Sequence, residues 1–241
     1  MDTRPIMRKQ TKLALLAVAA AAVTSTAQAA YNNGDLLVGF TSQGAANDYI
    51  FDIGTYGGIY GGETWSLAGL TGSGGNFTSS QFAAANWGLI GALNTGVTAT
   101  KTIYSTLGSS TAGPNEVRNG YNTIAANVLA VGTHSIAGSA VMIAQADSSG
   151  NSWNQQTLNS APGANTFQNN LDSPDVGTGA AAYLWANANL GAPATLLGDF
   201  TVSADGSALT FTEVPEPASY GALAGLGLLV IALRRQFTCK A

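Results

Sequence analysis

The chain has 241 residues, with thirteen acidic side chains, nine basic ones, one histidine and one cysteine, for a formal charge of −4. Most of the basic charge is terminal: residues 30–217 hold twelve acids against Lys101 and Arg118 alone, a formal −10. A body this acidic has nothing with which to displace counterions, which excludes nucleic acid and anionic lipid as partners, and its lack of cysteine excludes an internal disulfide.

In chain order, residues 1–29 come first. Arg4, Arg8, Lys9 and Lys12 precede eleven apolar residues, Leu13 to Val23, and then "TSTAQA". Charged, apolar and small-residue regions in that order make a secretory signal peptide, with Ala27 and Ala29 as its small-x-small cleavage site. Eleven helical residues reach only about 16 Å, too short to span a bilayer. No Arg-Arg pair precedes the apolar run, so a Sec-type route is expected.

Residues 30–213 follow as one β-rich extracytoplasmic domain. "DLLVGFTS" (Asp35 to Ser42) and "DYIFDIG" (Asp48 to Gly54) are rich in β-formers and flank a Gly/Ala/Asn turn, which predicts a hairpin. Alternation puts Tyr49, Phe51 and Ile53 on one face, with Asp48, Ile50 and Asp52 on the other. "ETWSLAGL" and "NWGLIGAL" each predict a strand opened by tryptophan; their flanks do not match, so they are not a repeat. "SSQFAAAN" predicts a short helix capped by Ser79 or Ser80. "ATKTIYSTL" predicts a further strand. In "NEVRNGYNTIAANVL" the apolar spacing of Val117, Tyr121, Ile124, Ala125 and Val128 predicts a helix. "HSIAGSAVMIAQA" is strand-like, residues 148–179 read as mostly irregular, and "AAAYLWANA" is again a strand. "TLLGDFTV" and "SALTFTEV" flank the tight turn "SADG". Many short strands with turn residues between them predict a mainly β, sandwich or jelly-roll-like single domain with one or two short helices. The only linker is Thr212 to Pro217.

Residues 214–241 are different in kind. Pro215, Glu216 and Pro217 precede sixteen uncharged residues, Ala218 to Leu233, and then Arg234 and Arg235. The prolines set the helix start. Sixteen residues reach about 24 Å, and the arginines snorkel to make up the shortfall of a transmembrane helix. Arginines at that end, with the basic tail 234–241, belong on the cytoplasmic side, which leaves the domain outside as the signal peptide does. "VPEPAS", an apolar Gly/Ala/Leu helix and "RRQ" together resemble the PEP-CTERM sorting signal of Gram-negative bacteria. The resemblance implies recognition and removal of the tail by an exosortase, a membrane processing enzyme, after transient anchoring in the inner membrane. Its bodies often accompany exopolysaccharide and biofilm formation, and it implies no activity of the body. "DLLVGF", "NDYIFDIG", "NWGLIGAL" and "GDFTVSADGSALTF" also resemble one recurrent group of such bodies whose function is unassigned.

The search for chemistry is thin. His134 is the sole histidine, and no G-x-S-x-G elbow accompanies it. One histidine without a body cysteine does not make a zinc site. Paired carboxylates 5 to 9.5 Å apart serve glycosidases, and the candidates are Asp35, Asp48, Asp52, Glu63 and Glu116. Asp48 and Asp52 stand roughly 13 Å apart along their strand, which suits solvated surface acids better than a catalytic pair. No catalytic residue and no resident metal are expected. Calcium is the one cofactor left open, through the oxygen-rich turns "DSSGNS" (Asp147 to Ser152) and "DSPD" (Asp172 to Asp175), neither of which has EF-hand order. Trp65 and Trp87 are expected in the core, and Trp153, within "NSWNQQ", is the exposed candidate for a glycan contact. The expectation is an exported, non-enzymatic surface or matrix protein beside exopolysaccharide. The alternatives are a carbohydrate-active enzyme using paired carboxylates and a self-assembling structural subunit.

Overall fold

The structure, a computed structural model, describes residues 31–93, 101–114, 120–132, 137–146, 152–157, 174–188 and 193–214. The signal peptide with Ala27 and Ala29, His134, Glu116 and the segment from Pro215 onward lie outside them.

Among the described residues ten strands form a single antiparallel ladder. They are β1 (Asp35–Thr41), β2 (Asn47–Thr55), β3 (Thr64–Ser66), β4 (Asn86–Leu93), β5 (Thr102–Leu107), β6 (Ala140–Ala144), β7 (Val176–Gly177), β8 (Ala182–Asn187), β9 (Thr195–Val202) and β10 (Ala208–Glu213). Their order across the sheet is β3-β10-β9-β8-β5-β4-β1-β2-β6, and β7 pairs with β4. The expected hairpin is β1–β2, with Phe40 opposite Tyr49. Sequence position and sheet position part company elsewhere: β3 pairs with β10, and β6 with β2.

The ladder curls around its own inner face. Leu36, Val38 and Phe40 of β1, Tyr49, Phe51 and Ile53 of β2, Trp87 and Leu89 of β4, Leu184, Phe200, Leu209 and Phe211 all belong to one buried cluster. The predicted mainly β domain is therefore present, and both layers of its core come from one curled sheet. Directly opposed residues supply the aromatic contacts. Phe40 stacks on Trp87 with centroids 5.7 Å apart, and Phe200 meets Phe211 at 4.7 Å. Residues 67–77 plug one end of the curl through Leu67, Leu70 and Phe77. The Tyr49 hydroxyl donates to the Ala68 carbonyl at 3.1 Å, and the Asn76 amide donates to the Asn47 carbonyl at 3.0 Å. These bonds tie β2 to the connection that follows β3, the strand at the far edge.

Among the described residues three short α-helices accompany the sheet. α1 (Ser79–Ala83) starts one residue earlier than expected, because Thr78 is the cap: it accepts from Gln81 N–H while the Gln81 side chain accepts from Thr78 N–H. α2 (Gly120–Gly132) lays Ile124, Val128 and Val131 against Ile90, Ala92 and Ile103 on the outer face of the sheet. Of the predicted stripe, Ile124, Ala125 and Val128 lie on this face; Val131 extends it, and Val117 lies outside the described residues. α3 (Trp153–Thr157) lies in the stretch read as irregular.

"ETWSLAGL" gives only the three residues of β3, and Trp65 there is half-buried against the core; Trp87 is fully buried. Thr212 and Glu213 are paired in β10, opposite Asp199 and Gly198, so the expected linker does not begin at Thr212.

Candidate functional site

α3 is too short and too polar to fold on its own. It is held by two buried carboxylates from other parts of the chain. Asp48, on β2, is fully buried. Its Oδ2 accepts from the Ser152 hydroxyl at 2.6 Å and from the Asn154 backbone N–H at 2.7 Å. The carboxylate thus satisfies one of the free donors at the start of the helix, the part an N-cap side chain usually plays. Ser152 also accepts from Gln155 N–H at 3.4 Å. Weaker polar contacts from Thr41 and Gln145 reach the Asp48 carboxyl.

The second carboxylate is Asp175, immediately before β7. Its Oδ1 accepts from the Trp153 indole N–H at 2.8 Å. Its Oδ2 is sealed from solvent, although the residue as a whole keeps some exposure. Burial pushes the Asp175 carboxyl up to about 6; bonds from Trp153 and Thr157 work against that, and repulsion from Asp48 works with it. Burial raises Asp48 as well, against the bonds from Asn154 and Ser152.

Between the two carboxylates lies Trp153, fully buried. Its ring lies on the backbone of Gly39 in the middle of β1. A Cβ at Gly39 would stand 1.8 Å from the Trp153 ring, so only glycine admits the indole. Trp153 therefore presents no face to a sugar, and the expected glycan contact there is corrected. Its polar flanks suggested exposure, yet they face Asp48 and leave the ring to the sheet.

The expected surface acids are corrected in the same way. Asp35, Asp48 and Asp52 are each at most 2% exposed. Asp35 Oδ2 accepts from Asn32 N–H at 2.8 Å, and Asp52 Oδ1 accepts from Gly54 N–H at 2.9 Å. These carboxylates bind turns and a helix end. Glu63 accepts from Tyr60 N–H at 3.2 Å. The two oxygen-rich turns considered for calcium reach the described residues only at Ser152, Pro174 and Asp175. Among the described residues no three His, Cys, Asp or Glu side chains form a metal-binding group.

The chain's other functional element starts where the sheet ends. β10 finishes at Glu213, and Val214 still donates its N–H to the Leu197 carbonyl at 3.2 Å. The profile of the PEP-CTERM protein-sorting motif matches residues 213–236. The chain carries a PEP-CTERM sorting motif. Pro215, Glu216, Pro217, Arg234 and Arg235 fall within the matched segment. The motif makes a PEP-CTERM chain a substrate for exosortase, with export and sorting at a membrane. No curated protein and no solved structure matches the chain. The expected transmembrane helix at 218–233 lies outside the described residues, and among those no helix is long and apolar enough to cross a membrane.

Proposed function

We propose that this PEP-CTERM protein is a non-enzymatic component of the cell surface or extracellular matrix, released or re-anchored by exosortase and acting within or beside exopolysaccharide. The observation that carries the reading is the sorting motif at 213–236, joined without slack to the last strand of a folded body. The acidic body, with twelve acids and two bases, favours neutral or cationic surroundings over nucleic acid and anionic lipid. The carboxylates that a hydrolase would need, Asp35, Asp48 and Asp52, are buried and engaged by backbone or side-chain donors, which supports a binding or matrix role over turnover.

Intact-mass analysis of the protein recovered outside the cell, with fractionation of cells expressing it, tests the reading. The expected masses lack the residues up to Ala29 or Ala30 and end near Pro217. Full-length protein in the cytosol would overturn it, and oligosaccharide released from a glycan substrate would overturn its non-enzymatic part.

A further inference from the structure

A cleft of about 720 Å3 opens beside α1. It lies where the β9–β10 turn, residues 71–72, α1 and the turn after β7 meet, and Thr71, Ser79, Phe82, Ala83, Asp205 and Ser207 line it. That size suits a small ligand or a few sugar units.

Hydrogen bonds and packing fix the walls in place. The Thr71 hydroxyl donates to the Asp205 carbonyl at 2.6 Å, and the Thr178 hydroxyl donates to the Phe82 carbonyl at 3.1 Å. Gly206 has φ +73, and a Cβ there would stand 3.0 Å from the Phe82 ring and 2.7 Å from the Thr71 methyl. The turn is therefore seated on the floor of the cleft by a glycine that nothing larger can replace. Asp205 Oδ1 accepts from the Ser203 hydroxyl at 2.6 Å, the Ser207 hydroxyl at 2.8 Å and Ser207 N–H at 3.0 Å. These bonds hold the Asp205 carboxyl down at about 2, so it is ionised at any ordinary pH. Among the described residues these bonds all fall on Oδ1 and none on Oδ2, and the Ser79 hydroxyl has no hydrogen-bond partner.

We propose that this cleft binds a pyranose unit that bears no acid group, a neutral hexose or a hexosamine, within a glycan chain. Among the described residues no lysine, arginine or histidine lines it, so phosphate, sulfate and carboxylate ligands meet no counter-charge there, and ionised Asp205 repels a uronic acid. Spare hydroxyl and carboxylate groups pair with sugar hydroxyls, which both donate and accept. The edge of Phe82 and the methyl of Ala83 offer an apolar patch for the C–H face of a ring. An apolar ligand would leave these polar groups buried and unpaired. None of the described lining residues belongs to a strand, so an extended peptide finds no ladder to join among them. Fixed walls reduce the ordering cost of binding. The proposal gives the matrix reading above a ligand class and rests on that reading for where the ligand is met.

The test uses full-length protein purified in a detergent without a sugar headgroup, titrated calorimetrically with cellotetraose and, separately, with the glucosamine tetramer. Binding of either is expected, and tighter, salt-sensitive binding of the amine-bearing tetramer assigns the hexosamine. Ala83 is exposed, so Ala83→Trp fills the cleft without touching the core; it should weaken binding at least about tenfold with an unchanged melting temperature. Ser79→Ala should weaken it about threefold. Absence of binding by both tetramers, or binding indifferent to Ala83→Trp, overturns the proposal. Because export is read separately by fractionation, a correctly exported protein that fails to bind sinks the cleft and leaves the sorting reading standing.

Discussion

On the inner face of the sheet, burial is achieved by opposed aromatic pairs: Phe40 on Trp87, and Phe200 on Phe211. On the outer face, where α3 docks, a tryptophan of equal size is buried among two carboxylates, a serine and a run of amides. Both indoles find a hydrogen-bond acceptor. Trp87 donates to the Gly177 carbonyl at 3.2 Å, a neutral group, whereas Trp153 donates to Asp175, which titrates. The same side chain at the same burial therefore belongs to a pH-indifferent core in one place and to a pH-sensitive one in the other.

The largest effects separate the faces by truncation. Trp87→Ala and Trp153→Ala should each lower stability by about 3–5 kcal/mol in denaturant unfolding, the usual range for deleting a buried aromatic. Only Trp153→Ala should also change how stability varies with pH, because it alone removes a partner of Asp175. A parallel shift at every pH in both variants would erase the distinction.

Next in size is the pH dependence itself. The Asp175 carboxyl lies at about 6 when folded, against its ordinary 3.8, so between those values the folded state holds a proton that the unfolded chain has released. Its contribution is complete below about 3.8 and disappears as pH rises through about 6, a change of about 2–3 kcal/mol. Asp48, also raised, acts in the same direction. Asp205, lowered to about 2, acts in the opposite direction and only in strong acid. Melting temperatures should thus rise from pH 7 to pH 5, and Asp175→Asn should flatten that rise, since the amide oxygen still accepts from Trp153.

A smaller effect is expected at Asp48. Asp48→Ala strips Ser152 and Asn154 of their acceptor, and should cost about 1–3 kcal/mol and speed hydrogen exchange within α3 before any change in β8–β10. Smallest is Thr78→Ala, which breaks the capping box of α1 for about 1 kcal/mol and leaves both tryptophan sites intact, as thermal melting would show.

The hairpins and α2 were legible because their apolar spacing depends on local geometry alone. β1–β2, β9–β10 and the Ile124–Val128 stripe needed no knowledge of distant partners. The outer-face site was not legible, because each of its signals points the wrong way in isolation. Asp48 and Asp52 alternate with Tyr49, Phe51 and Ile53, a pattern that describes a solvent-facing edge unless other segments cover it. "SWNQQT" has no apolar period, and its helix exists because Asp48, more than a hundred residues earlier, supplies the acceptor. One usable signal was present. Gly39, in the middle of an otherwise bulky strand, marks a place where something large approaches the backbone. The sorting motif was fully legible, being a linear pattern of prolines, glutamate and arginines read without a fold.

β10 is an inner strand, bonded to β9 along five register pairs and to β3 along three. Since the motif begins on its last residue, a pull on the tail directed along this strand would load the bonds to both neighbours together. Such a strand resists by shear, many bonds at once, rather than unzipping from a rim. The body is thus joined to its address through an inner strand rather than through a rim of the sheet.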